Sequence, residues 1–278
     1  RHPRSKAAGM TTRRHQLGPP VVALITVCYQ AKDQFCTTAE NLLCQSWKNF
    51  EYIVVDGASN DGTKELFDFF APLFERAQIP FSSISEPDRG IYDAMNKGTR
   101  MASGRWLLFL NAGDILADRL ILERIFQSPS DAQVIYGDTD CIYQGHLKRY
   151  PALPLDRLTC EMAFCHQSAF IQRERMLAHP YDISYKVCAD HHFFLSLYLE
   201  GYAFDYRPLP VSVYEISGYS DRNKLLSHRE KHRMQKELGI FHLSPGWLLQ
   251  ELRFYLKEGI KALFGQRLID LVRRKRLG

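Results

Sequence analysis

The sequence predicts an α/β fold, a mostly parallel sheet flanked by helices, on three observations. Apolar runs of strand length alternate with segments of helical periodicity through the first 115 residues. The first run, Val21-Val-Ala-Leu-Ile-Thr-Val27, is continuous and β-branched, as expected of a strand buried on both faces. Polar and acidic residues follow the strands directly, and in open α/β sheets the carboxyl ends of strands are where ligands bind. At 278 residues the chain is long enough for one large domain with an appendage.

Residues 1–18 read as a flexible leader: the first sixteen hold five basic groups and no acid, and Met10 is a candidate start. After the first strand, residues 33–46 place Phe35, Ala39, Leu42 and Leu43 at helical spacing. Phe50-Glu-Tyr-Ile-Val-Val-Asp56 is a second strand and Gly57–Gly62 a turn. Thr63–Phe74 is a helix with Leu66, Phe67, Phe70 and Leu73 inward. Phe81–Ser85 is a short strand, Ile91–Ser103 a helix and Arg105–Leu110 a further strand. Such β-α-β-α alternation calls for a parallel sheet covered on both faces.

Beyond residue 115 the pattern loosens. Leu120–Phe126 is helical, Val134–Gly137 a strand and Asp140–Arg149 an irregular hairpin. Met162–Gln172 is a loop and strand, Cys188–Glu200 a helix, and Phe204–Tyr214 a strand interrupted by prolines. From Ser227 onward the chain is mainly helical, with Pro245-Gly246 setting off a terminal amphipathic segment. The expected organisation is a domain over 19–226 followed by a helical extension, 227–278. Within the domain, about 19–115 forms the ligand-binding half, and the loop-rich half, about 116–226, suits an acceptor.

Composition narrows the class. The chain is 45% hydrophobic and 24% charged, ordinary for a soluble globular protein. No run of 18 apolar residues occurs, and the N-terminus lacks the apolar core of a secretory signal. Seven cysteines without a Cys-x-x-Cys pair argue against a disulfide framework or zinc site, and for a reducing cytoplasm. The net charge of +5 is uneven: residues 246–278 hold eight Lys/Arg against three Asp/Glu, whereas 17–245 hold 23 against 28. An acidic body with basic ends does not make a nucleic-acid groove. A basic tail points to an anionic surface.

Several residues are candidates for chemistry. Asp56 ends a strand and precedes Gly57-Ala-Ser-Asn-Asp-Gly62, which a Gly-rich turn alone would explain. A calcium loop fails on spacing, since Ala58 and Phe67 occupy its third and twelfth positions. In the functional reading the carboxylate faces the edge of a nucleotide base, with Ser59 and Asp61 shaping the turn. No Gly-x-Gly-x-x-Gly or Walker lysine motif is present, so dinucleotide and P-loop chemistry lose support.

Ser85–Gly98 leads from a polar loop into a helix and contains Asp88, Gly90, Asp93 and Asn96. Asn111-Ala-Gly-Asp114 is either a turn or a cation site, since hard cations commonly take one or two carboxylates plus substrate phosphate oxygens. Asp190 is either a first-turn acid favourable with the helix dipole or a functional carboxylate. His166-Gln167-Ser168 either lines an acceptor pocket or bonds the fold together, and Gly218–Asp221 is either a lid or a turn. His191 and His192 diverge by roughly 100° on a helix, a poor chelating pair. His228 and His232 flank Arg-Glu-Lys, which reads as a solvated helix face.

The order of these motifs says more than any one of them. Ile25-Thr-Val-Cys-Tyr29, Val55–Thr63, Glu86–Gly98, Asn111–Asp114, His166–Ser168 and Ala189-Asp190 together resemble the family-two inverting glycosyltransferases of the GT-A fold. The nearest likeness is to their colanic-acid and capsule biosynthesis branch. The match covers roughly 20–220 and is most specific between 86 and 114.

The resemblance implies that Thr26 and Tyr29 flank a nucleotide base that Asp56 reads. Asp88, Gly90, Asp93 and Asn96 would hold the ribose and sugar or order their loop, with Asn111 and Ala112 beside them. Asp114 would be the carboxylate on Mn²⁺ or Mg²⁺, Asp190 the catalytic base, and His166 and Gln167 part of the acceptor side. Asn111 stands where many relatives have Asp; it can still bond a ribose hydroxyl but adds no charge. The implied reaction is a single displacement, with inversion, from a nucleotide-diphosphate sugar to a saccharide acceptor, lipid-linked, in cell-surface polysaccharide biosynthesis.

In Trp247–Leu277, Leu248, Leu252, Tyr255, Leu256, Ile260, Leu263, Leu268 and Leu271 fall near one face, edged by Arg253, Lys257, Lys261 and Arg267. Such a helix either packs on the domain or lies on the anionic cytoplasmic leaflet. The expected location is therefore the cytoplasm, peripheral on the inner face of the plasma membrane in the second case. Two other functions compete. A nucleotidyltransferase lacks support because no Gly-rich, Lys/Arg-bearing triphosphate loop follows the first strand. A non-catalytic nucleotide-sugar-binding assembly subunit would have no need of Asp114 and Asp190.

Overall fold

Two strands of seven consecutive buried residues, β1 (Val22–Cys28) and β2 (Phe50–Asp56), lie side by side at the centre of a parallel set. β3 (Phe81–Ser85) adds outside β2, and β4 (Trp106–Phe109) pairs with the other edge of β1. These are features of a computed structural model that describes residues 21–143, 145–215, 223–242, 248–249 and 251–256. Parallel strands need crossovers, and α1 (Lys32–Leu43), α2 (Glu65–Arg76) and α3 (Ile91–Met101) supply them. α1 and α2 meet through Phe35, whose ring sits edge-on to Phe67 and Phe70 at 5.3 and 5.5 Å. On α3, a Cβ at Gly98 would fall 2.5 Å from Ile25 Cγ2, so the glycine lets the helix lie directly on β1.

The second half extends the same sheet. β5 (Ile115–Leu116), α4 (Ile121–Phe126), β6 (Val134–Tyr143) and β7 (His146–Tyr150) come first. Two 3-10 turns follow, Leu155–Thr159 and His166–Ser168, then β8 (Ala169–Gln172) and α5 (Arg173–Ala178). α6 (Ala189–Leu199), β9 (Phe204–Glu215) and α7 (Lys224–Glu237) complete the described elements. The strand order is β3-β2-β1-β4-β8-β6-β9-β5, with β7 on β6. β8 runs antiparallel to both β4 and β6, so β6 points the same way as β4 and ends on the ligand side of the sheet.

The early elements lie where the periodicity places them, within two or three residues. The later ones need correction. β6 continues to Tyr143 instead of stopping at Gly137, because its acids are satisfied in place. Asp138 accepts from Ala152 N–H (3.0 Å) and Tyr206 O–H (2.7 Å), and Asp140 takes two bonds from Arg149. The β6–β7 hairpin is accordingly regular. The pairing of β6 with β9 slips on both sides of Asp138, where Pro210 lies opposite, an irregularity that accommodates proline.

α7 starts at Lys224, before the expected Ser227, and the chain divides into two compact units between Glu230 and Lys231. Residues 248–249 and 251–256 of the tail are helical. The leader 1–18, the 218–221 segment, the Pro245-Gly246 break and the rest of the tail lie outside the described residues. No helix among the described residues is long and apolar enough to cross a membrane.

Candidate active site

Asp56, at the carboxyl end of β2, is completely buried. Its carboxylate accepts the Ser59 N–H (2.9 Å), the Ser59 hydroxyl and the Ser85 hydroxyl (2.6 Å), and so builds the turn that follows the strand. Gly57 lets the turn approach its neighbours: a Cβ there would fall 2.7 Å from Asp88 Oδ2 and 3.2 Å from Tyr29 Cδ2.

Tyr29 and Asp88 lie on a cavity of about 470 Å³. It is lined by Val27–Tyr29, by residues 88–94 at the start of α3, and by Ile183, Tyr185 and Lys186. That volume falls in the range of small-molecule sites. Tyr29 is 68% exposed and presents an open ring. Asp88 accepts the Gly90 N–H (2.8 Å), and Gly90 adopts φ +119°, a conformation that disfavours a side chain. Asp93 accepts the Arg89 N–H (3.1 Å) and pins the loop to the first turn of α3.

Thr26 and Asn96 do not line this cavity. Thr26 is wholly buried within β1, and the strand meets the cavity only from Val27 onward. Asn96 ties α3 to the 181 segment, donating to Tyr181 O (2.8 Å) and accepting from Tyr181 N–H (3.0 Å). Sequence reasoning singles out Tyr29, Asp88, Gly90 and Asp93 of the lining and misses the rest, among them Tyr92, Tyr185 and Lys186. Of these, Lys186 has a signal in the sequence, its place four residues before Asp190.

A tight turn at the end of β4 carries Asn111–Asp114. Asp114 N–H donates to Asn111 O (2.9 Å), Asn111 N–H donates back to Asp114 Oδ2 (3.2 Å), and Ala112 N–H reaches Val27 O (3.2 Å). Burial pushes the Asp114 carboxyl up to about 6, only partly offset by the Gln167 amide, the nearby His166 and the Asn111 N–H. Asn111 Oδ1 is also buried and accepts no hydrogen bond. The unpartnered Asn111 Oδ1 and the buried Asp114 carboxyl are hard oxygen groups of the kind a divalent cation takes, so the residues present fit one.

Asp190 is the second residue of α6. Its Oδ2 accepts the His166 Nδ1–H (3.0 Å); its Oδ1 accepts the His191 N–H (2.8 Å) and lies 3.0 Å from the Tyr92 hydroxyl, which also reaches Val187 O at 2.7 Å. Burial alone would raise its pKa, but the His166 bond and charge and the His191 N–H hold the carboxyl below its ordinary value. Tyr92 lines the cavity, so Asp190 lies one hydrogen bond from the cavity wall. His166 shares a 3-10 turn with Gln167, which donates to Asp114 Oδ2 at 3.2 Å. Ser168 anchors that turn, its hydroxyl within 2.7–2.9 Å of Thr139 Oγ1, Ser212 Oγ and Asp138 O. One turn thus engages both acids.

A largely parallel half joined to a mixed half, with the site at the strand ends, defines the GT-A class of glycosyltransferase folds. A mannosyltransferase from Pyrobaculum calidifontis, solved with GDP-Man and Mn²⁺, matches with a TM-score of 0.61 at 18% identity, over 82% of this chain and 67% of that one. Residues 1–349 of S. aureus TarS, solved with UDP-GlcNAc, match with a TM-score of 0.59 at 13% identity, over 79% and 65%.

The model of glycosyl transferase family 2 matches residues 23–190, and the chain belongs to that family. A PGL/p-HBAD biosynthesis glycosyltransferase of Mycobacterium bovis (strain BCG / Pasteur 1173P2) is 37% identical over 158 residues, 54% of this chain and 59% of the relative. The putative teichuronic acid biosynthesis glycosyltransferase TuaG of Bacillus subtilis (strain 168) is 34% identical over 95 residues, 34% of this chain and 36% of the relative. The matched length is under two thirds of either relative.

Proposed function

We propose that the chain is an inverting glycosyltransferase that moves a sugar from a nucleotide-diphosphate sugar to a saccharide hydroxyl. The observation that carries this reading is Asp190: a carboxylate held below its ordinary pKa, one hydrogen bond from the cavity wall through Tyr92 and held on its other side by His166. The donor occupies the cavity with its base against Tyr29, over the turn that Asp56 holds. Asp88 and Asp93 meet ribose and sugar hydroxyls or keep the loop in register. Asp190 removes the proton of the acceptor hydroxyl as that oxygen attacks the anomeric carbon, a general-base role typically worth about 10²–10⁴-fold. Attack from the face opposite the leaving group inverts the configuration, and no second nucleophilic carboxylate is needed.

Asp114, with Asn111 Oδ1 beside it, would hold Mn²⁺ or Mg²⁺. A bound cation supplies charge neutralisation for the departing nucleoside diphosphate. His166 and Gln167 lie on the acceptor side. The acceptor in this reading is a lipid-linked saccharide of cell-surface polysaccharide biosynthesis, at the cytoplasmic face of the membrane. The names of the mycobacterial and Bacillus relatives lend that context support.

The test is release of nucleoside diphosphate from a panel of UDP- and GDP-sugars with Mn²⁺ or Mg²⁺, repeated with Asp190→Asn. The expected result is turnover of one donor class that the variant loses by about 10²-fold or more. An Asp190→Asn protein that folds and turns over at the wild-type rate would remove Asp190 as base. Release of pyrophosphate would favour nucleotidyl transfer instead.

A further inference from the structure

We propose that Glu230, outside the cavity and on α7, is the positioning residue for the catalytic base. The inference rests on the reading of Asp190 as that base. Glu230 sits in the Arg-Glu-Lys stretch whose sequence suggests a solvated face, yet it is only 6% exposed. Its Oε1 accepts the Lys186 N–H (2.7 Å), and its Oε2 accepts the Val187 N–H (2.9 Å) and the Cys188 N–H (3.0 Å).

Those three consecutive amides lead directly into α6, which begins at Ala189. The Cys188 N–H, at the N-cap of α6, has no intrahelical partner, the Lys186 and Val187 amides precede the helix, and Cys188 makes no side-chain cap of its own. A carboxylate from a helix distant in sequence therefore holds the segment that enters α6, with charge-assisted bonds and a favourable sign at the helix N-terminus. The held segment turns its other groups toward the site. Val187 O takes one bond from the Tyr92 hydroxyl, Lys186 Nζ crosses to Arg89 O (3.3 Å) on the cavity wall, and Asp190 follows two residues after Cys188. Glu230 thus fixes from behind the segment whose front carries the base. Without it, three amides lose their acceptor and the N-terminus of α6 is free to shift. Alanine removes every acceptor. Glutamine keeps one oxygen but sets an N–H₂ against a backbone N–H.

The test uses the full chain and the hydrolysis of UDP-glucose or GDP-mannose with Mn²⁺, water standing in for the acceptor. Rates are measured under single turnover for wild type, Glu230→Gln, Glu230→Ala, Asp190→Asn and the Asp190→Asn/Glu230→Gln double variant. Each acceptor lost is expected to lower kcat by roughly tenfold, with Gln milder than Ala and the donor KM within about threefold. Amide exchange over 186–190 should rise in the Gln variant, which carries the test if the Ala variant does not fold.

The deciding comparison is the cycle. If Glu230 acts through Asp190, then Glu230→Gln in the Asp190→Asn background costs no further rate. An equal loss in both backgrounds overturns the proposal and leaves Glu230 a structural residue, as does a wild-type kcat in Glu230→Gln beside raised exchange. A wild-type rate in Asp190→Asn alone defeats the base assignment, and this proposal with it, whatever Glu230 does.

Discussion

His166 and Asp190 meet across 3.0 Å, Nδ1–H to Oδ2, although 24 residues separate them. That contact offsets the burial of Asp190 and keeps it a carboxylate. Asp114, engaged by the next residue of the same turn, stays high because burial outweighs the Gln167 amide, the nearby His166 and the Asn111 donors. Neighbouring side chains on one 3-10 turn thus engage two buried acids whose pKa values are displaced in opposite directions.

Replacing His166 by Leu removes the bond and charge that lower the Asp190 pKa while leaving the burial that raises it. The folded-state pKa then rises, so the acid limb of kcat/KM moves to higher pH. A pH–rate profile for donor hydrolysis checks this; an unmoved acid limb in a folded variant would dissociate His166 from the charge state of Asp190.

Asp114→Asn is expected to stabilise the metal-free protein at neutral pH. The folded-state pKa of about 6 lies above the ordinary aspartate value of 3.8. The unfolded chain therefore binds fewer protons between those values, and stability falls as pH rises through that window. The loss amounts to about 3 kcal/mol at most, and asparagine, which carries no charge, avoids it. Thermal melts without metal should show a higher Tm than wild type at pH 7.5 and no gain near pH 4. The same variant should lose Mn²⁺-dependent turnover. A lower Tm at pH 7.5 would mean that Asp114 is already compensated.

Gly98→Ala tests how closely α3 must lie on the sheet. The added methyl meets Ile25 Cγ2 at 2.5 Å and Val55 Cγ2 at 3.4 Å, both inside the core. Overpacking of this kind costs typically about 1–3 kcal/mol. α3 also carries Tyr92 and Asp93, so the donor KM should rise along with the drop in urea midpoint. A variant as stable as wild type would show that the helix can shift without strain.

The part of the fold that could be read in advance is the part governed by local periodicity. β1 and β2 are apolar at nearly every position, and α1 to α3 place their large side chains one helical turn apart, so each element announces itself. β6 did not, because Asp138 and Asp140 look like loop residues and are acceptable in a strand only with Tyr206 and Arg149 beside them. Glu230 was hidden for the same reason: its partners lie more than forty residues away, and its neighbours in sequence are charged. Cavity residues showed the same limit. Tyr29 and Asp88 follow strand ends, whereas Tyr185 and Lys186 reach the cavity from a segment with no periodic signature.

The basic tail supports a last prediction. Residues 246–278 hold eight Lys/Arg against three Asp/Glu, with Leu248, Leu252, Tyr255 and Leu256 at helical spacing. Near an anionic leaflet each basic residue contributes about 1 kcal/mol, screened within roughly 10 Å at 0.1 M salt. The full chain should therefore float with vesicles containing phosphatidylglycerol at 0.1 M salt and release at 0.5 M, while neutral vesicles leave it in the soluble fraction. Deleting 246–278 should abolish flotation yet leave hydrolysis of the nucleotide sugar intact, since every residue assigned to the site precedes the deletion. Undiminished flotation after deletion would take the tail out of the membrane contact and leave the five basic groups of the leader as the remaining source of attraction.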